Sequence, residues 1–391
     1  MAVTYVVLLP LTFWFFKSLK LIDIGKLIAY LSGVLLVYFL VRNAVLDTIT
    51  FGEEMSILNN GLAAAENYSD QLATTFFIFG HYIKLLCFPS SLAWDYSFPT
   101  FEIVSFNNLQ VLSVVSFLLV AGILSLIYFR TKSIFIYSFL FFIITFSIVS
   151  NFFILIGCTL GERFLFFPSI GFCILVVYSL EKLTKQIQAN NKNILVVFLL
   201  VVSSLYAFKT IDRNKDWANN YSLFISGEVV TPNNSRAVGA VGSMYRELAE
   251  QSKSQQEQFK NYKKSIQYYQ KSVNLLPSNS DSYYNLGVVY MATQQFLLAE
   301  QSFNSAIQSS PNMAGAYNNL GVIYFDKKNY ETAKEYFTKC LESDPNFQNA
   351  IANLGAVYHN TGQLELARQF YIKALKLNPN DVNSRNNLNN L

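Results

Sequence analysis

From Tyr283 to Pro379 the chain repeats itself with a period of 34 residues. Tyr283, Leu286, Gly287, Tyr290, Ala299, Phe303, Ala306 and Pro311 return as Tyr317, Leu320, Gly321, Tyr324, Ala333, Phe337, Cys340 and Pro345. They return once more as Ile351, Leu354, Gly355, Tyr358, Ala367, Tyr371, Ala374 and Pro379. A fixed period of this length marks a stack of supersecondary units, none of which buries its apolar face alone. The glycine and the first alanine of each copy let two helices touch closely. The aromatics fill the gaps between them, and the proline ends the second helix.

The period and the residue types are those of the tetratricopeptide repeat (TPR), a pair of antiparallel helices. Three copies are predicted, over 280–313, 314–347 and 348–381. A degenerate copy precedes them over about 235–279, with Val241, Gly242 and Tyr245 in its first helix and Ser265, Tyr269 and Pro277 closing its second. It carries about eleven extra residues, with 251–260 mostly polar, so its first helix is lengthened or followed by a loop. Trp217, Leu223, Phe224 and Pro232 read as one more second helix, docking the array on the preceding apolar segment, and 382–391 as a cap. Asn285, Asn319 and Asn353 recur at one position, on the concave side of the stack. A row of side-chain amides can grip the backbone of an extended polypeptide whatever its sequence, since each both donates and accepts. Asparagine is also simply well tolerated there. Ala240 in the degenerate copy ends the row.

Upstream of Asp212 the chain is different material. Apolar residues make up 52% of the whole and charged ones only 14%, and the excess lies in this first half. A backbone in lipid must satisfy its own hydrogen bonds, so a run of about 20 apolar residues reads as a spanning helix. The candidates are Lys26–Val41, Leu109–Phe129, Ser133–Ile156, Ser169–Leu183 and Ile194–Ile211. Met1–Phe16 is apolar but broken by Pro10, without the basic start or cleavage site of a signal peptide. The predicted fold is therefore all-α: a polytopic helical membrane domain over 1–211, then a TPR α-solenoid over 217–391.

Short basic loops stay in the cytoplasm. That rule puts Lys17, Lys20 and Lys26, then Arg130 and Lys132, then Lys182, Lys185 and Lys192 inside. The segments 42–70 and 89–108, with Asp47, Glu53, Glu54, Glu66, Asp70, Asp95 and Glu102, belong outside. Gln71–Phe88 then lies between two outer segments and reads either as a re-entrant or half-buried helix or as a span with one flanking segment assigned to the wrong side. The last span points the repeats to the periplasm or a lumen. Three Asn-x-Ser sequons, at Asn67, Asn220 and Asn233, all fall on that outer side. A net charge of +4 with no Lys/Arg block excludes a nucleic-acid partner. Two histidines and four scattered cysteines (Cys87, Cys158, Cys173 and Cys340) give no metal or redox motif, and the cysteines read as small apolar packers.

Two outer segments carry more polar chemistry than their surroundings need. One holds His81, Lys84, Asp95 and Tyr96; the other holds Ser150, Asn151, Glu162 and Arg163. An ionisable residue at membrane depth marks a functional site by default. Arg163, flanked by aromatics, offers a planar donor fork to a lipid phosphate, with Glu162 holding it. The competing reading is interfacial snorkelling within an aromatic belt.

These segments also carry a resemblance. SNFFILIGCTLGERFLFFPSIGF, residues 150–172, and YIKLLCFPSSLAWDYS, residues 82–97, resemble two blocks of the transmembrane-and-TPR O-mannosyltransferases and their bacterial relatives, C-type glycosyltransferases. The order of blocks, spans and repeats is similar over the whole chain. The resemblance implies transfer of a mannosyl-type residue from a polyprenyl- or dolichyl-phosphate sugar to Ser/Thr of a polypeptide, in the bacterial inner membrane or the endoplasmic reticulum. It implies Arg163 near the donor phosphate with Glu162 orienting it, and Asp95 and Tyr96 shaping the outer cavity. It also implies an acceptor chain in the TPR groove and a divalent metal in the family's full-length members. Such enzymes keep an acidic motif in the first outer loop. This chain opens at MAVTYVVLLPLTFWFFKSLK, similar to a mid-protein span, and Glu53–Glu54 lies in the wrong segment for that role. The expectation is a shortened gene product or a non-catalytic paralogue. The alternative function is a membrane-anchored TPR scaffold without chemistry; a transporter subunit is disfavoured by the lack of paired internal charges.

Overall fold

A computed structural model describes residues 2–17, 19–46, 55–186 and 192–391, and among them helices are the regular structure. The acidic residues Asp47, Glu53 and Glu54 lie outside the described residues. The chain divides into two compact units, Met1–Asn234 and Ser235–Leu391.

The first unit runs α1 (Tyr5–Phe16), α2 (Leu21–Leu46), α3 (Tyr68–Cys87), α4 (Leu109–Ile127), α5 (Ile134–Ser147), α6 (Pro168–Gln186), α7 (Lys192–Asp216) and α8 (Asn220–Val230). Among the described residues three stretches are long and apolar enough to cross a membrane: Leu21–Val45, Leu109–Ile127 and Leu195–Asp216. Their side chains are largely unburied, with Tyr30 74%, Val34 69% and Leu126 80% exposed. Apolar surface this continuous is untenable in water and matches lipid, so this is a membrane unit.

Two spans depart from expectation. Ser133–Ile156 is not one helix. α5 stops at Ser147 after 14 residues, about 21 Å, short of a hydrocarbon core of about 30 Å. The reason is local hydrogen bonding: the Ser150 hydroxyl donates to the Ser147 carbonyl, and Asn151 turns to a positive φ of 60°. At the N-terminus Pro10 does not break the helix; α1 runs through it, with the ring buried. Gln71–Phe88 forms the continuous α3, capped by Asn67, whose side chain accepts from Asp70 N–H. Its Ile78, Phe79, Tyr82 and Leu86 recur at helical spacing and are buried. They pack against Phe142 and Phe146 of α5, with Tyr82 edge-on to Phe146 at 4.8 Å. α8 belongs to this unit as well: Phe224 packs on Trp94 at 5.5 Å, and does not open the repeat stack. Only Cys340 among the cysteines is a buried packer; Cys87 and Cys173 are exposed.

The second unit pairs α9 (Ser235–Gln251) with α10 (Gln255–Leu275), α11 (Ser280–Ala292) with α12 (Phe296–Ser309), α13 (Ala314–Asp326) with α14 (Tyr330–Ser343) and α15 (Gln348–Asn360) with α16 (Leu364–Leu377). Helix α17 (Val382–Asn389) closes the stack. The repeat glycines permit close approach. A Cβ at Gly287 would sit 2.6 Å from Phe303, at Gly321 2.5 Å from Phe337 and at Gly355 2.7 Å from Tyr371. Ala299, Ala333 and Ala367 are fully buried beside them. The extra residues of the degenerate copy make no loop. They lengthen both helices, α9 to 17 residues against 13 in α11 and α10 to 21 against 14 in α12.

Candidate functional site

In the first unit the two polar segments come together through asparagines and one carboxylate. After α5 the chain folds back around Asn151, whose Oδ1 accepts from Ile156 N–H at 2.8 Å while its Nδ2 reaches the carbonyls of Cys158 and Thr159 at 3.2 Å. Asn60, fully buried, donates to Asn151 Oδ1 at 3.0 Å and to the Ile156 carbonyl at 2.9 Å. Buried amides are costly unless satisfied, so this pair fixes the loop conformation. Gly161 N–H then donates to the Tyr82 hydroxyl at 2.9 Å, placing a 3-10 turn over Glu162–Leu165 against α3.

Glu162 does not hold Arg163. Its Oε1 accepts from the Tyr96 hydroxyl at 2.6 Å and from Ala93 N–H at 2.9 Å. Burial pushes the Glu162 carboxyl above its ordinary range, against the pull of the Tyr96 hydrogen bond and the charge of Arg213. Burial and the adjacent carboxyl likewise push the Tyr96 phenol up. Arg163 points away from this carboxylate: it is exposed and stacks its guanidinium over the Phe164 ring, 5.4 Å from the centroid. The pairing expected from adjacency fails because neighbours on a tight turn face different directions. Asp95 is a loop organiser, its Oδ1 accepting from Ser97 N–H at 2.8 Å and from Asn234 Nδ2 at 2.9 Å.

His81 and Lys84 lie one helical turn along α3 and line a cavity of about 160 Å³ together with Tyr96 and Thr100. Three of the four residues singled out in the sequence for the outer cavity therefore share one space, while Asp95 braces its rim. Lys84 is exposed and makes no ion pair among the described residues. Two participants escaped the sequence reading. Arg213, at the end of α7, has a side chain only 10% exposed, bonded to Asp216 at 2.7 Å, and its charge reaches Glu162. An arginine at the end of a span was a signal available in the sequence. Asn60, in a short polar segment, had none. Among the described residues no three His, Cys, Asp or Glu side chains gather to hold a metal, so no step is assigned to one.

In the second unit the three expected asparagines are half-buried and already engaged. Asn285 Nδ2 donates to the Asp281 carbonyl of its own helix at 2.8 Å. Asn353 Nδ2 donates to Asn318 Oδ1 at 3.1 Å, and Asn318 Nδ2 to Asn319 Oδ1 at 3.4 Å. Asn318, almost buried, thus links two of the rungs across adjacent repeats, and the period alone did not single it out.

Comparison with known proteins agrees with both halves. Tetratricopeptide-repeat family profiles match residues 268–301, 314–347 and 349–381. Among curated proteins the chain is similar to "Protein O-mannosyl-transferase TMTC3" of Mus musculus, 28% identical over 56% of this chain and 23% of the relative. It is similar to the Drosophila melanogaster protein of the same description, 25% identical over 72% of this chain and 30% of the relative. A Xenopus laevis "Protein O-mannosyl-transferase tmtc2" is 36% identical over 27% of this chain and 12% of its own length. The family these relatives belong to is the one that residues 82–97 and 150–172 resemble. The chain spans less than a third of the length of each of these relatives.

Proposed function

We propose that the chain takes part in transfer of a mannosyl-type residue from a polyprenyl- or dolichyl-phosphate sugar to Ser/Thr of exported polypeptide, at the outer face of its membrane unit. One observation carries this reading: the Tyr96–Glu162 hydrogen bond of 2.6 Å binds the two family-like blocks into one wall beside the cavity of His81 and Lys84. The similarity to protein O-mannosyl-transferases supports the donor class. Arg163, exposed beside Glu162, offers its donor fork to the donor phosphate. The repeats, on the periplasmic or lumenal side, hold the acceptor in an extended form, with Asn285, Asn319 and Asn353 along the groove.

The test is transfer by the purified full chain from dolichyl-phosphate mannose to a Ser/Thr-rich peptide in lipid nanodiscs. Transfer that falls at least tenfold in Arg163→Ala, with unchanged helicity, supports the reading; undiminished transfer removes Arg163 from the donor site. Peptide binding with no transfer from the native chain leaves the membrane-anchored scaffold.

A further inference from the structure

Charge is unevenly placed along the second unit. Between Ser235 and Leu275, the first helix pair, seven Lys/Arg stand against three Asp/Glu; from Leu276 to the end eight stand against nine. One helix pair thus carries an excess of +4, and the full repeats are close to neutral. The same pair is the lengthened one. Gly242 lies against Tyr269 as Gly287 lies against Phe303, which sets the first two pairs in register. Measured from those points, α10 begins seven residues earlier than α12, and α9 runs four residues further than α11. The added turns all lie at one end, so the α9–α10 hairpin tip projects about 10 Å past its neighbour's.

The tip is held together, yet it leaves a large apolar ring in the open. Ala249 and Tyr262 are buried beneath it. Ser252 pins the turn, its hydroxyl donating to the Leu248 carbonyl at 2.6 Å and accepting from Asn261 Nδ2 at 3.3 Å. Phe259 is nevertheless 69% exposed. Gln256, Phe259, Lys260 and Lys263 follow one another at helical spacing on one exposed face of α10. Lys253 is exposed in the turn, and Glu257 offsets one of these charges. A phenylalanine this exposed, on turns that the full repeats lack, contributes nothing to the core of the stack.

We propose that this tip is a contact with an anionic lipid surface, with the Phe259 ring in the boundary between headgroups and acyl chains and Lys253, Lys260 and Lys263 on lipid phosphates. Two observations favour lipid over a protein partner. Protein interfaces are depleted in lysine at their centre, and a single ring among lysines has no apolar surround to keep water from it. An interfacial segment has the composition seen here, an apolar wedge beside lysines whose flexible stems reach outward. The second observation is the tether: 18 residues lie between Asp216, where the last span ends, and Ser235. A bilayer is therefore at high effective concentration for this unit, and a few individually weak contacts suffice. The contact concerns the repeat unit alone and stands apart from sugar transfer.

The experiment is hydrogen exchange by mass spectrometry on the full chain in phosphatidylcholine nanodiscs, with and without phosphatidylglycerol. Both faces of the disc carry the same lipid, so the outcome does not depend on which side the repeats occupy. Exchange at residues 248–263 slows by about fivefold or more with phosphatidylglycerol, while residues 280–377 are unchanged, and raised salt reverses the slowing. Lys260→Gln with Lys263→Gln weakens the contact by roughly thirtyfold and abolishes the slowing, whereas Lys260→Arg with Lys263→Arg keeps it. Phe259→Ser weakens the contact by roughly tenfold in anionic discs and leaves exchange in phosphatidylcholine as it was. Equal exchange in the two lipids overturns the proposal, and so does slowing that survives the glutamine substitutions. Slowing that appears in pure phosphatidylcholine only when a Ser/Thr-rich peptide is added assigns the tip to polypeptide and overturns the lipid contact.

Discussion

The Tyr96 hydroxyl lies 2.6 Å from Glu162 Oε1, and that bond ties two loops 66 residues apart in sequence into one surface. The same oxygen accepts from Ala93 N–H, which also donates to the Tyr96 hydroxyl at 2.9 Å, so three groups close a ring of hydrogen bonds. Each member is buried or half-buried, and each would cost free energy left alone.

Tyr96→Phe is predicted to loosen this surface first. Removing a hydroxyl bonded to a carboxylate costs about 1.5–3 kcal/mol. Hydrogen exchange should rise at residues 91–96 and 162–165 while the repeats stay protected. Unchanged exchange in both loops would show that the bond does not hold them.

The pH dependence of Glu162 follows from its environment. Its folded carboxyl is raised above the ordinary 4.5, chiefly by burial, so the folded state binds a proton more tightly than the unfolded one. The associated stability is present below pH 4.5 and is lost as pH rises through the folded value. Glu162→Gln keeps an acceptor for Tyr96 and removes the charge. We predict that thermal unfolding of the native membrane unit weakens more between pH 4.5 and 7 than that of the variant. Parallel curves would refute it.

Gly321→Ala should strain the third helix pair. The new methyl would lie 2.5 Å from Phe337 Cε1, a distance at which the ring must move. Overpacking of this kind costs about 1–3 kcal/mol. Far-UV circular dichroism on heating would report it, and adding Phe337→Leu should recover part of the loss. A double variant no better than the single one would place the strain elsewhere.

Glu300 couples adjacent repeats. It accepts from Lys327 Nζ at 2.8 Å and from the Tyr324 hydroxyl at 2.6 Å, across the α12–α13 junction. Lys327, then Tyr324, hold its carboxyl below the ordinary 4.5, and the carboxylate holds the phenol up at about 12. Its contribution is present above pH 4.5 and is lost as pH falls through the depressed value. Partly exposed pairs are weak, so Lys327→Met should cost under about 1 kcal/mol and flatten the acid limb of repeat unfolding. An unaltered acid limb would contradict this.

The sequons give a topology test. Asn67, Asn220 and Asn233 are all exposed, but Asn67 is engaged in capping α3 through Asp70. Expressed in a eukaryotic cell with the repeats lumenal, the chain should gain endoglycosidase-sensitive mass that falls with Asn220→Gln and Asn233→Gln. No gain, with free protease access to the repeats from the cytoplasmic side, would reverse the orientation.

The solenoid was legible because its information is local and repeated. A glycine, an alanine and an aromatic at fixed offsets state which two helices touch, and the structure pairs Gly287 with Phe303, Gly321 with Phe337 and Gly355 with Tyr371. The apolar spans were legible for a similar reason, since lipid acts on composition summed over one helix. Where a hydrogen bond competes with a helix the composition misled: Ser150 and Asn151 end α5 early although the run stays apolar to Ile156.

The sequence by itself determined that a lipid-adapted helical half precedes a stack of paired helices, because both depend on patterns that short-range physics enforces. Only the tertiary structure decided that Glu162 faces Tyr96 and not Arg163, that Asn60 locks Asn151, and that His81 and Lys84 share one cavity with Tyr96. Those are contacts between distant segments. Their partners are chosen by how helices pack and loops cross, which no spacing along one strand of sequence encodes.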